Sequence, residues 1–181
     1  MRVTILICGK ATSGKTTFAT ILEELLNKNY TKAKVLHNAK AVKDLAKSFF
    51  YWDEEKDEKG RQLLIDITNS GYNYQDNFWE RETELLFRRY SSVYEELEIL
   101  IIPDWRYIST YDFFKQYGKI IPICIEKRSL SVGTHDSHSS ENNFKEFPIK
   151  YQILNDGTIE DLKRFAKVLI EAEGLANVQD N

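Results

Sequence analysis

The amino-acid sequence predicts an α/β fold in which a parallel sheet lies between two layers of helices. Short apolar runs such as residues 99–102 are typical of strands buried on both faces. Amphipathic runs with helical spacing alternate with them, which is typical of parallel sheets. The 181 residues contain no internal repeat and no linker, so we predict one domain, residues 1–181, with a full hydrophobic core.

The first half of the chain is predicted to begin with a strand and to be mostly helical after it. Residues 3–8 are largely apolar and predict a buried strand, and residues 17–28 carry an apolar stripe at helical spacing. Residues 33–38 predict a short second strand. Three helices are predicted next, at residues 39–50, 61–70 and 77–94. A charged turn at 53–60 separates the first two, and a loop at 70–73 separates the last two.

The second half of the chain alternates strand and helix more regularly. The apolar strand at 99–102 is followed by a predicted helix that Ser109 caps and that ends at Gly118. A polar, aperiodic stretch separates the last two predicted strands, at residues 120–125 and 151–154. Thr158 and Asp161 resemble a capping box that begins a carboxyl-terminal helix.

Composition narrows the class of protein. Hydrophobic residues make up 42% of the chain and charged residues 29%, with a net charge of −3. These values are ordinary for a globular protein and argue against a nucleic-acid partner. We expect no membrane span and no signal peptide, and we expect Cys8 and Cys124 to be buried free thiols. A cytoplasmic enzyme or nucleotide hydrolase fits this composition, and a homodimer is among the oligomeric states left open.

A phosphate-binding motif follows the first predicted strand. Residues 9–16 match the P-loop pattern G-x-x-x-x-G-K-[ST], and a helix follows as that pattern requires. Its glycines let backbone N–H groups point at phosphate oxygens, where the helix N-terminus adds positive charge. A Gly-rich turn arising by chance is the alternative. We predict ATP binding by Gly9, Ala11, Ser13, Gly14, Lys15, Thr16 and Thr17.

This motif defines the predicted architecture more closely. It indicates a three-layer P-loop NTPase fold, with a parallel five-stranded sheet flanked by helices. Lys15 is expected to contact the β- and γ-phosphates, and Thr16 to ligate Mg²⁺, the expected cofactor. The helices at 39–94 lie between two strands, a natural place for an acceptor-binding insertion.

A second polar motif follows the strand at 99–102. Asp104 and Arg106 lie at its carboxyl end, where ligands bind in open α/β sheets. Asp104 could hold Mg²⁺ through water or orient the acceptor, and Arg106 offers a planar fork for a phosphate. The alternative is a structural Asp–Arg pair that fixes the loop.

Residues 127–147 are predicted to form a lid. Long loops without regular structure often close on a ligand, although a flexible polar loop is the alternative. Arg128 is the candidate residue for contacting the transferring phosphoryl group in the closed lid. His135 and His138 form only a weak pattern for a transition metal.

The helical insertion supplies further candidates for acceptor binding. Lys43 lies on one helix face with two other lysines, although most such rows are solvated surface. Arg61 and Arg81 are additional cations. Trp79 could stack on a base, but aromatic residues at helical spacing more often pack in the core.

Several motifs together resemble the bacteriophage-type deoxynucleoside monophosphate kinases. The most specific are residues 136–141, which spell an Asp-x-His-x-x-Glu element, and residues 155–158, Asn-Asp-Gly-Thr. Others are residues 9–16, 42–45, 61–64 and 104–106. The resemblance implies ATP-dependent phosphoryl transfer to a (deoxy)nucleoside monophosphate, with His138 and Glu141 among the acceptor contacts.

The chain departs from that family at the expected acceptor site. Ala41 stands where proline is common, and the family's Gly-Thr pair and arginine are missing after residue 64. Another small phosphorylated or hydroxyl acceptor, such as phosphomevalonate, therefore stays open. A P-loop NTPase switch is a further alternative, which the absence of an Asn-Lys-x-Asp motif disfavours. A nucleotide-binding module without turnover is disfavoured because Lys15, Thr16 and Asp104 are all present.

Overall fold

The computed structural model describes residues 2–28, 31–55, 57–94, 97–127 and 143–175. Five strands form one sheet in the order β2-β3-β1-β4-β5, and every neighbouring pair is parallel. The strands are β1 (Arg2–Cys8), β2 (Ala33–Val35), β3 (Ile99–Ile102), β4 (Gly118–Glu126) and β5 (Tyr151–Leu154). The predicted fold class, a parallel five-stranded sheet flanked by helices, is confirmed.

Six α-helices in the described residues surround the sheet and form the insertion. They are α1 (Lys15–Lys28), α2 (Ala39–Phe50), α3 (Glu58–Tyr74), α4 (Phe78–Tyr94), α5 (Ile108–Lys115) and α6 (Ile159–Glu173). Among these residues, none of the helices combines the length and the apolar composition that a membrane span needs.

The alternation of side chains along β1 divides the core into two layers. Ile5 and Ile7 pack in one cluster with residues of α1 and α6, such as Phe18 and Leu162. Leu6 and Cys8 point to the other face and belong to the cluster that contains aromatic residues of α4 and α5. Because successive strand residues face opposite sides, a wholly apolar strand serves both layers.

The two cysteines are buried free thiols, as the sequence predicts. Cys8 and Cys124 are partners in the β1–β4 register and lie in the same apolar cluster. Their mutual hydrogen bond, together with burial, raises the pKa of the Cys8 thiol. A thiol with a raised pKa is a poor nucleophile, so Cys8 acts as a core residue.

The predicted loop at residues 70–73 is wrong, because α3 continues through it to Tyr74. Gly71 allows this helix to pack closely on Trp79. A Cβ at position 71 would lie 2.6 Å from the Trp79 ring. The glycine therefore marks a close contact between two helices and not a loop. Trp79 packs with Val42 and Ala46 in the core of the insertion.

Other helix boundaries also differ from the prediction. Helix α5 begins at Ile108 after Tyr107, so Ser109 lies inside the helix and is not its cap. Helix α3 begins at Glu58, inside the predicted charged turn, because Asp57 caps it through the Gly60 N–H. The Thr158 capping box of α6 is confirmed, with both reciprocal hydrogen bonds present.

Part of the predicted lid packs into the core. Residues 128–142 lie outside the described residues, but Asn143–Glu146 form a short 3-10 helix. Phe147 then stacks on Trp105 with ring centroids 4.3 Å apart. The end of the predicted 127–147 segment is thus held by an aromatic contact with the loop after β3.

Candidate active site

The P-loop lies at the carboxyl end of the sheet, pressed against the ends of neighbouring strands. Gly9 has a φ of +138°, and a Cβ there would lie 2.1 Å from the Ile125 carbonyl oxygen of β4. Gly14 has a φ of +99°, and a Cβ there would lie 2.4 Å from Asn155 Nδ2. Both positions therefore require glycine. The two glycines of the motif are the positions where the loop passes close to β4 and to the β5–α6 turn.

Lys15 lies back over this loop. Its Nζ donates to the carbonyl oxygens of Gly9 at 2.7 Å and Lys10 at 2.6 Å. The ammonium group is thus held at the loop, where phosphate oxygens would compete for its hydrogen bonds. Asn155 Nδ2 donates to the Ser13 carbonyl oxygen at 2.9 Å and fixes the loop from the β5 side.

Asp104 connects the loop after β3 to the start of α2. Its two oxygens accept hydrogen bonds from the backbone N–H groups of Asn38 at 3.0 Å and Ala39 at 2.9 Å. Asp104 therefore caps α2. Each oxygen keeps a further lone pair, so its predicted role on Mg²⁺-bound water or on the acceptor stays a prediction.

The Asp104 loop lies directly beside the P-loop. The backbone N–H of Trp105 donates to the carbonyl oxygen of Ile7 at 3.2 Å, two residues before the P-loop begins. Trp105 itself is buried and donates its indole N–H to Tyr107 O at 2.7 Å. Because β3 and β1 are neighbours in the sheet, the two predicted polar motifs meet at one edge.

The donor set at this edge fits Mg²⁺. Thr16 and Asp104 offer oxygen atoms, the ligands that Mg²⁺ prefers. The described residues contain no group of three or more His, Cys, Asp or Glu side chains that could hold a metal by themselves. Mg²⁺ commonly binds through one or two protein oxygens plus substrate phosphates, and these residues suit that mode.

The predicted acceptor residues divide into surface and core positions. Arg61, Arg81 and Arg106 are exposed, and Lys43 is half-buried on α2. Trp79 is only 4% exposed and donates its indole N–H to Thr68 O. The structure therefore places Trp79 in the core, the alternative that its helical spacing favours.

Three predicted site residues lie outside the described part of the chain. They are Arg128 of the lid, and His138 and Glu141 of the Asp-x-His-x-x-Glu element. Their roles, and the lid itself, stay predictions.

A cluster of buried polar side chains that was not predicted from the sequence adjoins the Asp104 loop. Glu80 of α4 is fully buried and accepts hydrogen bonds from Thr110 Oγ1 at 2.6 Å and Tyr72 Oη at 3.1 Å. Burial and the Glu80 charge raise the pKa of Tyr72, so its hydroxyl stays a donor. The only local sequence signal for this cluster is Glu80 itself, a glutamate one position after Trp79. A glutamate in a helix is too common to be informative.

Comparison with known proteins gives partial matches. The family model of "Chromatin associated protein KTI12" matches residues 3–73, less than half of the chain. The match covers β1 through most of α3, including the P-loop. No curated protein sequence matches the chain.

Solved kinase structures resemble the chain at low sequence identity. Shikimate kinase from Acinetobacter baumannii, solved with shikimate, is 14% identical, covers 99% of this chain and 96% of its own, and gives a TM-score of 0.49. The APS kinase from Mycobacterium tuberculosis, solved with AMPPNP and APS, is 12% identical over 94% of this chain and 98% of its own, with the same TM-score of 0.49. These likenesses do not select the deoxynucleoside monophosphate kinases.

Proposed function

We propose that the protein is a Mg²⁺- and ATP-dependent phosphotransferase whose acceptor is a (deoxy)nucleoside monophosphate. The observation that carries this proposal is the meeting of two motifs at one edge of the sheet. The P-loop with Lys15 follows β1, and the Asp104–Arg106 loop follows the adjacent β3, joined to it by the Trp105–Ile7 hydrogen bond. One edge thus offers a phosphate cradle and a neighbouring cation for a second anion.

The residues of this edge suit phosphoryl transfer, which depends on positioning and charge stabilisation. Lys15 would exchange its carbonyl partners for β- and γ-phosphate oxygens. Thr16, and Asp104 through water, would hold Mg²⁺, which would supply positive charge at the phosphates. Arg106 would hold the acceptor phosphate through two parallel hydrogen bonds.

The choice of acceptor rests on the sequence resemblance and on charge. The exposed cations Arg61, Arg81 and Arg106, with Lys43, lie on the insertion and on the loop after β3. They suit an acceptor that carries a phosphate of its own. Arg128, His138 and Glu141 would complete the site in the lid.

An ADP-release assay tests this function directly. Purified protein, ATP and Mg²⁺ are combined with each common nucleoside and deoxynucleoside monophosphate, and the product is identified by chromatography. We expect ADP formation that depends on one acceptor and yields its diphosphate. Nucleotide binding without any acceptor-dependent ADP would contradict the proposal, and Lys15→Ala is the matched inactive control.

A second candidate is an ATP-driven switch associated with chromatin. The matched family is described as chromatin associated, and the match covers the P-loop and the first insertion helices but not the Asp104 loop, where the acceptor is proposed to bind. A switch would hydrolyse ATP slowly without any acceptor, and the rate would not change across the panel of monophosphates. The same assay therefore separates the two candidates.

A further inference from the structure

Three carboxyl side chains are buried in the described part of the chain, and one differs from the others in its contacts. Glu84 and Glu173 each lie within ion-pair distance of two cationic side chains. Glu80 is 0% exposed, and among the described residues it forms no ion pair. Its hydrogen bonds come from hydroxyl groups alone, those of Thr110 and Tyr72.

Both of these hydroxyls contact the same oxygen of Glu80. Oε1 accepts from Thr110 and Tyr72, whereas Oε2 is buried and contacts no donor among the described residues. A buried acceptor without a donor costs free energy, and more so when it belongs to a charged group. A group retained at such a cost is a candidate for contact with a ligand.

The Glu80 cluster adjoins the Asp104 loop, where the acceptor is proposed to bind. The Tyr72 ring is 5.6 Å from the ring of Tyr107, which follows Asp104 by three residues. One turn along α4, Thr83 Oγ1 donates to Asn38 Oδ1 at 2.8 Å. Asn38 is the residue whose backbone N–H contacts Asp104, so hydrogen bonds link the α4 surface beside Glu80 to the Asp104 loop.

We infer that Glu80 determines acceptor specificity, with its Oε2 accepting a hydrogen bond from an O–H or N–H group of the acceptor. The inference rests on the proposed function. It adds the chemistry of the part of the acceptor that lies opposite its phosphate. Glu80 and Asp104 are both acidic, so the acceptor's phosphate lies away from them, toward Arg106 and Lys43. The end that meets Glu80 is a neutral or cationic donor, such as a sugar hydroxyl or an amino group of a base.

Binding of this donor requires a side chain of the cluster to move, because Oε2 is buried. Tyr107, whose ring contacts that of Tyr72, is 41% exposed and borders the cluster. Its movement would open the cluster toward the Asp104 loop while Thr110 and Tyr72 keep Oε1 in place.

The experiment compares Glu80→Gln with Glu84→Gln, a matched control one turn further along the same helix. Thermal unfolding is measured for each variant, and acceptor and ATP KM values are measured with the nucleoside monophosphate panel. In Glu80→Gln, the hydroxyls of Tyr72 and Thr110 donate to the new amide oxygen, which turns the amide NH₂ group toward the acceptor's donor. We expect acceptor KM to rise about 10- to 100-fold in this variant, with ATP KM and Tm unchanged or Tm higher.

The control should behave in the opposite way. Glu84→Gln leaves two cations without their carboxylate, so Tm should fall by about 5–10 °C, with an unchanged acceptor KM in the folded enzyme. If Glu80→Gln fails to fold, or loses as much stability as Glu84→Gln while keeping its acceptor KM, Glu80 is structural and the inference is wrong.

These outcomes also separate the inference from the proposed function. If the wild-type protein binds ATP but converts no monophosphate, the proposed acceptor is wrong. The inference about Glu80 is then tested only by comparing the Tm values of Glu80→Gln and Glu84→Gln. A Tm in Glu80→Gln at or above the wild-type value then supports a carboxyl group held for an external donor, whereas a Tm lowered like that of Glu84→Gln overturns it.

Discussion

Cationic side chains at the two edges of the sheet have different partners. At the amino edge, Arg2 Nη1 lies 2.5 Å from Glu84, and Glu173 lies 2.7 Å from Lys119 Nζ and 2.5 Å from Lys150 Nζ. At the carboxyl edge, Lys15 Nζ donates to two backbone carbonyl oxygens, and Ser13 Oγ has no partner among the described residues.

This difference separates stability from function within one fold. Removing one partner of such a buried ion pair destabilises the folded state, because the other charge is left unpaired. A buried polar atom such as Ser13 Oγ, which has no partner among the described residues, reduces stability and can be satisfied by a ligand. Even Arg2, whose Nε and Nη2 lack hydrogen bonds among the described residues, lies 4.3 Å above the Phe87 ring centroid. Removing a charge at the amino edge should therefore lower the stability of the fold. Removing a polar side chain at the carboxyl edge should instead lower activity.

The largest expected effect is that of Lys15→Ala. Removing the cation at the phosphates should lower the rate of phosphoryl transfer by about 10²- to 10³-fold. The free energy of unfolding should change by less than about 1 kcal/mol, because Lys15 lies outside the ion pairs of the amino edge. Steady-state ADP release and chemical denaturation measure the two effects. A variant as active as the wild type would exclude the P-loop from catalysis.

Glu173→Gln should show the reverse pattern. Although burial alone would raise the pKa of Glu173, hydrogen bonds from Lys119, Lys150 and Tyr151 lower it to about 2, from an ordinary value of 4.5. The substitution should cost about 2–3 kcal/mol at neutral pH, since both lysines are partly exposed and screened. The kinetic constants of the folded enzyme should not change.

The depressed pKa of Glu173 also predicts a pH dependence. The stabilisation is fully present above pH 4.5, the ordinary pKa, and is lost as the pH falls toward 2. Urea denaturation between pH 7 and pH 2.5 should show a declining difference between wild type and Glu173→Gln. A difference that stays constant over this range would exclude Glu173 ionisation as its source.

The parts of the fold that the sequence predicts are those with local signals. The P-loop is a spacing of eight residues, and β3 and β5 are runs of four whose predicted bounds match the structure. Gly71 could not be assigned correctly, because the ring that requires it belongs to the next helix. Glu80 could not be found either, since Tyr72 and Thr110, its partners, lie 8 and 30 residues away. Tertiary contacts decide both positions.

The capping role of Asp104 is a further example of a tertiary contact. A carboxylate at a strand end is compatible with metal binding, acceptor binding or a structural pair, and the sequence does not choose among them. The structure shows that Asp104 binds the backbone of α2, a helix that starts 65 residues earlier in the chain. The same side chain therefore has a structural contact and stays a candidate for Mg²⁺-bound water.

The smallest of these effects is expected from Arg106→Lys, and it tests whether the carboxyl edge recognises a second phosphate. Lysine keeps the positive charge but loses the planar fork, so acceptor KM should rise about tenfold, with ATP affinity and Tm nearly unchanged. ATP titration, acceptor kinetics and thermal unfolding on the same preparation measure all three. If Arg106→Lys instead lost stability and ATP affinity together, with an unchanged acceptor KM, Arg106 would belong with the structural ion pairs. The acceptor phosphate would then have to be held by the other exposed cations, Lys43, Arg61 and Arg81, and the contrast between the two edges would apply to the P-loop alone.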